Sequence, residues 1–133
     1  MRQRLVIDTN VVVNALRRGH KYFSKSARLL RHIYRGHYDI YASIGILDEY
    51  KDVLSRPAMD VPYRAMSDWV EWITRNAVFI EPRPSEQSFV EMKDEDDRIF
   101  FDVAKCARAK LVTRNIKDYP VHEIITPVEE IYP

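Results

Sequence analysis

At 133 residues, 46% of them hydrophobic, the chain is expected to fold around a real core as one domain, 1–133, which excludes a disordered polypeptide. Only 3 glycines are present, without a Gly-x-Gly-x-x-Gly or Gly-x-x-x-x-Gly-Lys pattern, which excludes glycine-rich phosphate loops; the single cysteine, Cys106, excludes an internal disulfide and a cysteine-built zinc cage. The formal net charge of +1 excludes nothing, but the charges are segregated: no acid lies between Asp8 and Asp39, whereas Asp94-Glu95-Asp96-Asp97 is an unbroken acidic run.

Such segregation suits a chain that holds a polyanion with one region and cations with another. The basic interval carries Arg17, Arg18, Lys21, Lys25, Arg28, Arg31 and Arg35. Cys106 falls in a helical pattern and is expected to be buried and inert. No apolar run of membrane-spanning length and no signal peptide is seen, so a reducing cytoplasm is the expected location.

In chain order, residues 4–8 read as a first strand, an apolar run ending on a carboxylate. Thr9 and Asn10 are expected to cap a helix with Val11, Val12, Ala15 and Leu16 inside, broken by Gly19. A second helix covers 24–35 and stops at Gly36. Residues 38–42 form a second strand. Ser43 caps a third helix, 44–54, which ends before Arg56-Pro57. A loop at 60–62 leads to a fourth helix, 63–76, and a third strand, 77–80. Pro82 and Pro84 open a polar loop. A fifth helix runs over 97–110, a fourth strand over 111–113, a turn at 118–120, a short strand at 123–126 and a helical turn at 127–131. Strands alternating with helices imply a parallel sheet with right-handed crossovers and helices on both faces, an α/β/α sandwich.

Ligands in such sheets bind beyond the carboxyl ends of the strands. Asp8 ends the first strand, Asp97 begins the fifth helix, and Asp118 follows the fourth strand. Glu49 flanks the apolar stripe of the third helix, while Asp48 and Asp52 should face solvent. Asp8 and Asp97 have simpler readings as a helix cap and a dipole-complementing acid, and Asp94 and Asp96 rival Asp97. If the first and fourth strands are neighbours, these acids share one rim. Clustered carboxylates repel one another unless a divalent cation neutralises them. Mg²⁺ suits oxygen ligands, and paired metals serve phosphodiester cleavage.

Four stretches in this order resemble a PIN-domain ribonuclease of the subgroup that forms toxins of toxin–antitoxin pairs. They are Val6-Ile7-Asp8-Thr9-Asn10-Val11; Ser43 through Glu49-Tyr50 to Arg56-Pro57; Asp94 through Asp97-Arg98-Ile99-Phe100 to Ala104; and Leu111 through Thr113-Arg114-Asn115 to Asp118-Tyr119. The resemblance implies a three-layer α/β/α sandwich and metal-dependent endonucleolytic cleavage of RNA with Mg²⁺ or Mn²⁺. Asp8, Glu49 and Asp97 match the main acids. Asn115 and Asp118 share the fourth position, with Thr9, Asn10 and Thr113 in support. Arg17, Arg18, Lys21 and Lys25 would grip the RNA backbone. A homodimer and a protein antitoxin are the implied partners. The competing readings are an RNA-binding or scaffolding domain without catalysis, a flap-type DNA nuclease and a receiver-like phosphate-accepting domain.

Overall fold

The computed structural model describes residues 2–83 and 90–131. The loop opened by Pro82 and Pro84 therefore lies partly outside the described residues.

Strand β1 (Arg4–Ile7) contains three consecutive residues, Leu5, Val6 and Ile7, with no solvent exposure. Successive strand side chains point to opposite faces, so both faces of β1 are covered. In β4 (Lys110–Thr113), Leu111, Val112 and Thr113 are likewise fully enclosed. The remaining strands are β2 (Asp39–Ala42), β3 (Val78–Phe79) and β5 (Ile125–Pro127). The sheet is parallel throughout, in the order β3-β2-β1-β4-β5. Helices cover both sides, giving the three-layer α/β/α sandwich of the sequence reading.

The helices are α1 (Thr9–Leu16), α2 (Lys25–Tyr34), α3 (Ile44–Leu54), α4 (Tyr63–Asn76), α5 (Arg98–Ala107) and α6 (Val128–Ile131). Ser24 and Ser43 cap α2 and α3 by accepting from the N–H groups of Ala27 and Ile46. The Tyr50 hydroxyl, fully buried, donates to the carbonyl of Ile7 and fastens α3 to the end of β1. Tyr50 and Trp69 pack edge to face, with centroids 5.6 Å apart, which joins α4 to the same core.

Several boundaries differ from the sequence reading. The fifth helix ends at Ala107, not Lys110, because Arg108 takes a left-handed conformation (φ 54°) and Ala109 N–H returns to Ala104 O. This is a helix stop usually made with glycine, and the sequence carries none there. The Arg4 guanidinium donates to Ala107 O at 3.1 Å and closes the same end. Lys110 consequently belongs to β4. Pro127 pairs with Thr113 in β5, where an edge strand tolerates its missing N–H. Asp97 closes a short 3-10 turn before α5 rather than starting the helix. Thr9 lies inside α1 instead of capping it, since Asp8 is the residue before the helix. Cys106 is half-buried rather than buried.

Because Ile7 is fully enclosed, Ile7→Ala should lower the unfolding free energy by about 2–5 kcal/mol in urea denaturation. Val121→Ala, at a fully exposed position, should stay within about 0.5 kcal/mol of the native chain.

Candidate active site at the carboxyl edge of the sheet

The chain leaves β1 for β2 on one side and later returns to place β4 on the other. The carboxyl ends of β1 and β4 therefore flank the point where strand order reverses, where open α/β sheets form a crevice. Asp8 N–H donates to Val112 O at 2.9 Å, which extends the ladder by one residue and sets Asp8 beside Thr113.

Asp8 is 7% exposed and occupies the N-cap position of α1 without a side-chain cap to the N–H groups further along the helix. Its Oδ2 instead accepts from the Thr113 hydroxyl at 2.9 Å and from the Tyr119 hydroxyl at 3.0 Å. Thr113 Oγ1 in turn accepts from Asn10 Nδ2 (3.2 Å) and Asn115 N–H (3.1 Å). One donor and two acceptor positions are the full capacity of a hydroxyl. Asn10 completes the bridge by accepting from Arg114 N–H at 3.1 Å. Asn115 thus acts here through its backbone. Burial pushes the Asp8 carboxyl up, against the pull of the Thr113 and Tyr119 hydrogen bonds.

Within the acidic run, each residue has a different situation. Asp94 caps the 3-10 turn by accepting from Asp96 N–H, and Glu95 pairs with Arg98 at 2.7 Å. Asp94 and Asp96 are exposed, whereas Asp97 is half-buried. Partial burial, then the charges of Asp8, Asp94, Asp118 and Asp96, push the Asp97 carboxyl up to about 7. Asp118, exposed in the 3-10 turn Ile116–Asp118, adds its charge against both Asp8 and Asp97. Glu49 is half-buried on α3, with Asp48 and Asp52 exposed as expected. Burial, then Asp52, and more weakly Asp96 and Asp8, raise Glu49. Asp8, Asp97 and Asp118 are therefore one electrostatic group, with Glu49 at its margin. Among the described residues, however, no three acidic, histidine or cysteine side chains close around a common ion position.

Tyr119 is a site residue to which the sequence reading gave no role beyond a turn and a place in the stretch that carries the resemblance. It is 2% exposed, and burial, then the charges of Asp8 and Asp97, push its phenol far up, so it donates to Asp8 as a neutral hydroxyl. The available signal was an aromatic between Asp118 and Pro120 in an otherwise polar stretch.

A groove of about 240 Å³ adjoins this rim, lined by Thr9, Asn10, Asn14 and Arg17 of the α1 side, Val53 and Met59, and Arg114. Of the expected RNA contacts, Arg17 is in the groove. Arg18 is held by Asp60 at 2.7 Å, with its N–H also donating to Asp60 O. Lys21 is exposed on the α1–α2 connection and Lys25 is half-buried in the first turn of α2. Arg114 is a groove cation that the sequence reading did not assign.

The Asp8 and Asp97 carboxyls, raised first by burial and then by neighbouring acids, and the buried Thr9 hydroxyl, which has no protein partner, are oxygen donors of the kind a hard divalent cation would take. Mg²⁺ commonly takes only one or two carboxylates, keeping waters and substrate phosphates for its other positions. An open, incomplete protein cage is compatible with that habit.

Repulsion at Asp97 has a measurable signature. Its ordinary value is 3.8 and the folded value about 7, so the unfolded chain releases this proton first. Its contribution to stability is thus most favourable below the ordinary value and is lost as pH rises to about 7. In chelator, Asp97→Asn should melt above the native chain at about pH 8, and that advantage should vanish near pH 3.5. Thermal denaturation at the two pH values checks this, and added Mg²⁺ should raise the melting temperature of the native chain more than that of the variant.

No curated protein matches the chain. A model of the PIN domain family matches residues 4–117, from β1 through the fourth strand into the turn after it. The match takes in Asp8, Glu49, Asp97, Thr113 and Asn115 and ends just before Asp118 and Tyr119. It covers most of the sequence, and the chain belongs to the PIN domain family.

Proposed function

We propose that the chain is an endoribonuclease that cleaves RNA phosphodiester bonds with Mg²⁺ or Mn²⁺. The observation that carries this reading is the electrostatic group of Asp8, Asp97 and Asp118 at the strand-order reversal, next to a groove bearing Arg17 and Arg114. Asp8, Glu49 and Asp97 would hold the cation, directly or through water. When bound, it would neutralise phosphate charge and ease ionisation of the attacking water. Asp118, with Asn115, would orient that water. Thr113 and Tyr119 position the Asp8 carboxylate, and Asn10 positions Thr113. Arg17, Arg18, Lys21 and Lys25 are assigned to the RNA backbone, Arg18 by exchanging Asp60 for phosphate. The resemblance to toxin components extends the proposal to a cytoplasmic homodimer inhibited by a protein antitoxin. Among the described residues no helix is long and apolar enough to cross a membrane.

Cleavage of RNA with Mg²⁺ or Mn²⁺ should fall to background in Asp8→Asn and Asp97→Asn. Undiminished cleavage by both variants would remove the site assignment. Metal-independent RNA binding without cleavage would instead favour a binding or scaffolding domain. Tyr119→Phe removes only the hydroxyl that orients Asp8 and should lower activity about 10–100-fold. Arg17→Ala should weaken RNA binding and reduce its logarithmic salt slope by about 0.7–0.9, measured by titration across salt concentrations.

A further inference from the structure

Tyr22 and Phe23 stand on the connection between α1 and α2, 60% and 78% exposed. Their rings meet edge to face, with centroids 5.0 Å apart. The other phenylalanines among the described residues, Phe79, Phe100 and Phe101, are buried or half-buried. Tyr22 is also held in place: the Arg31 guanidinium of α2 lies over its ring, 3.9 Å from the centroid. An exposed aromatic pair, braced by an arginine and set in a stretch without acids from residue 9 to 38, has the makings of a nucleic-acid contact.

The groove beside the acids runs along the same helix whose end opens into the connection that carries this pair. Asn10, Asn14 and Arg17 recur at helical spacing along one side of α1. Asn10 stands two residues after Asp8 and Arg17 just past Leu16, about 10 Å further on at the helical rise. The chain then passes through Arg18 and Lys21 to the two rings.

We propose that Tyr22 and Phe23 form a stacking platform for unpaired bases of single-stranded RNA whose backbone follows the α1 groove to the acids. The inference rests on the nuclease reading for its substrate. A second copy of this chain is a poorer occupant, because a two-fold contact would set Arg17, Lys21 and their neighbours against the same cations.

The test uses the full chain in chelator, so that binding is read without cleavage. The probe is an oligouridine carrying a single 2-aminopurine, followed by anisotropy and by 2-aminopurine fluorescence. The native chain should bind it and quench the fluorophore. Tyr22→Ala/Phe23→Ala should lose the quenching and at least about five-fold in affinity. Its salt slope should stay native, because no cation is removed. Phe23→Trp should retain both signals. Native binding and quenching in the double alanine variant would overturn the platform, as would failure of the native chain to bind the probe. A changed sedimentation coefficient in that variant with unaltered RNA binding would also overturn it, assigning the rings to a protein contact. Cleavage of the same RNA with Mg²⁺, assayed in parallel, separates the two readings. Binding with ring-dependent quenching but no cleavage would support the platform and remove the nuclease assignment; cleavage with ring-independent binding would do the reverse.

Discussion

The Thr113 hydroxyl is the joint on which the site depends. It donates to Asp8 and accepts from Asn10 and from Asn115 N–H, so β1, α1, β4 and the following turn meet at one oxygen. A buried hydroxyl with every position used has little freedom to rotate. It therefore fixes the direction of the Asp8 carboxylate as well as its location. Tyr119 approaches the same carboxylate oxygen from the other side of that turn. The strands deliver both partners because Ile7 and Val112 are in register, β1 ends at Ile7 just before Asp8, and β4 ends one residue later at Thr113.

Around this joint the fold accumulates negative charge that it does not neutralise. Glu95 has Arg98, and Asp52 has Arg56, but those pairs lie on the surface, where they contribute little. Burial, with the charge of Asp118 at Asp8 and that of Asp8 at Asp97, holds these two inward carboxylates in a less favourable state than they would have in water. Such a cluster exchanges stability for a local concentration of charge. The hydrophobic sandwich below, with strand centres fully enclosed on both faces, carries that exchange.

Much of this was legible in the sequence because it rests on periodicity. The run Leu5-Val6-Ile7 before Asp8, the stripe that puts Glu49 on a flank of α3, and the Ser43 cap of α3 each follow from local rules. What could not be read came from distant contacts. Asp97 was separable from Asp94 and Asp96 only once the short turn showed which acid points inward. Tyr119 looked like a turn residue because its partner lies 111 positions away. Arg18 is paired with Asp60, 42 positions away, a contact that no local pattern shows. The end of α5 was misplaced because an arginine occupies a backbone conformation that sequence rules reserve for glycine.

The strand order also governs when the site comes into being. Asp8 and Thr113 are 105 positions apart, and the strands that carry them are adjacent in the sheet. The left half of the sheet, β1 to β3, pairs without any residue of β4. Asp8 precedes Thr113, Asn115 and Tyr119 by more than a hundred positions, so during synthesis it has none of them to orient it until the polypeptide has extended through all of them. Loop closure over so long a span is also slow. The arrangement delays assembly of the acidic rim until most of the scaffold that confines it already exists.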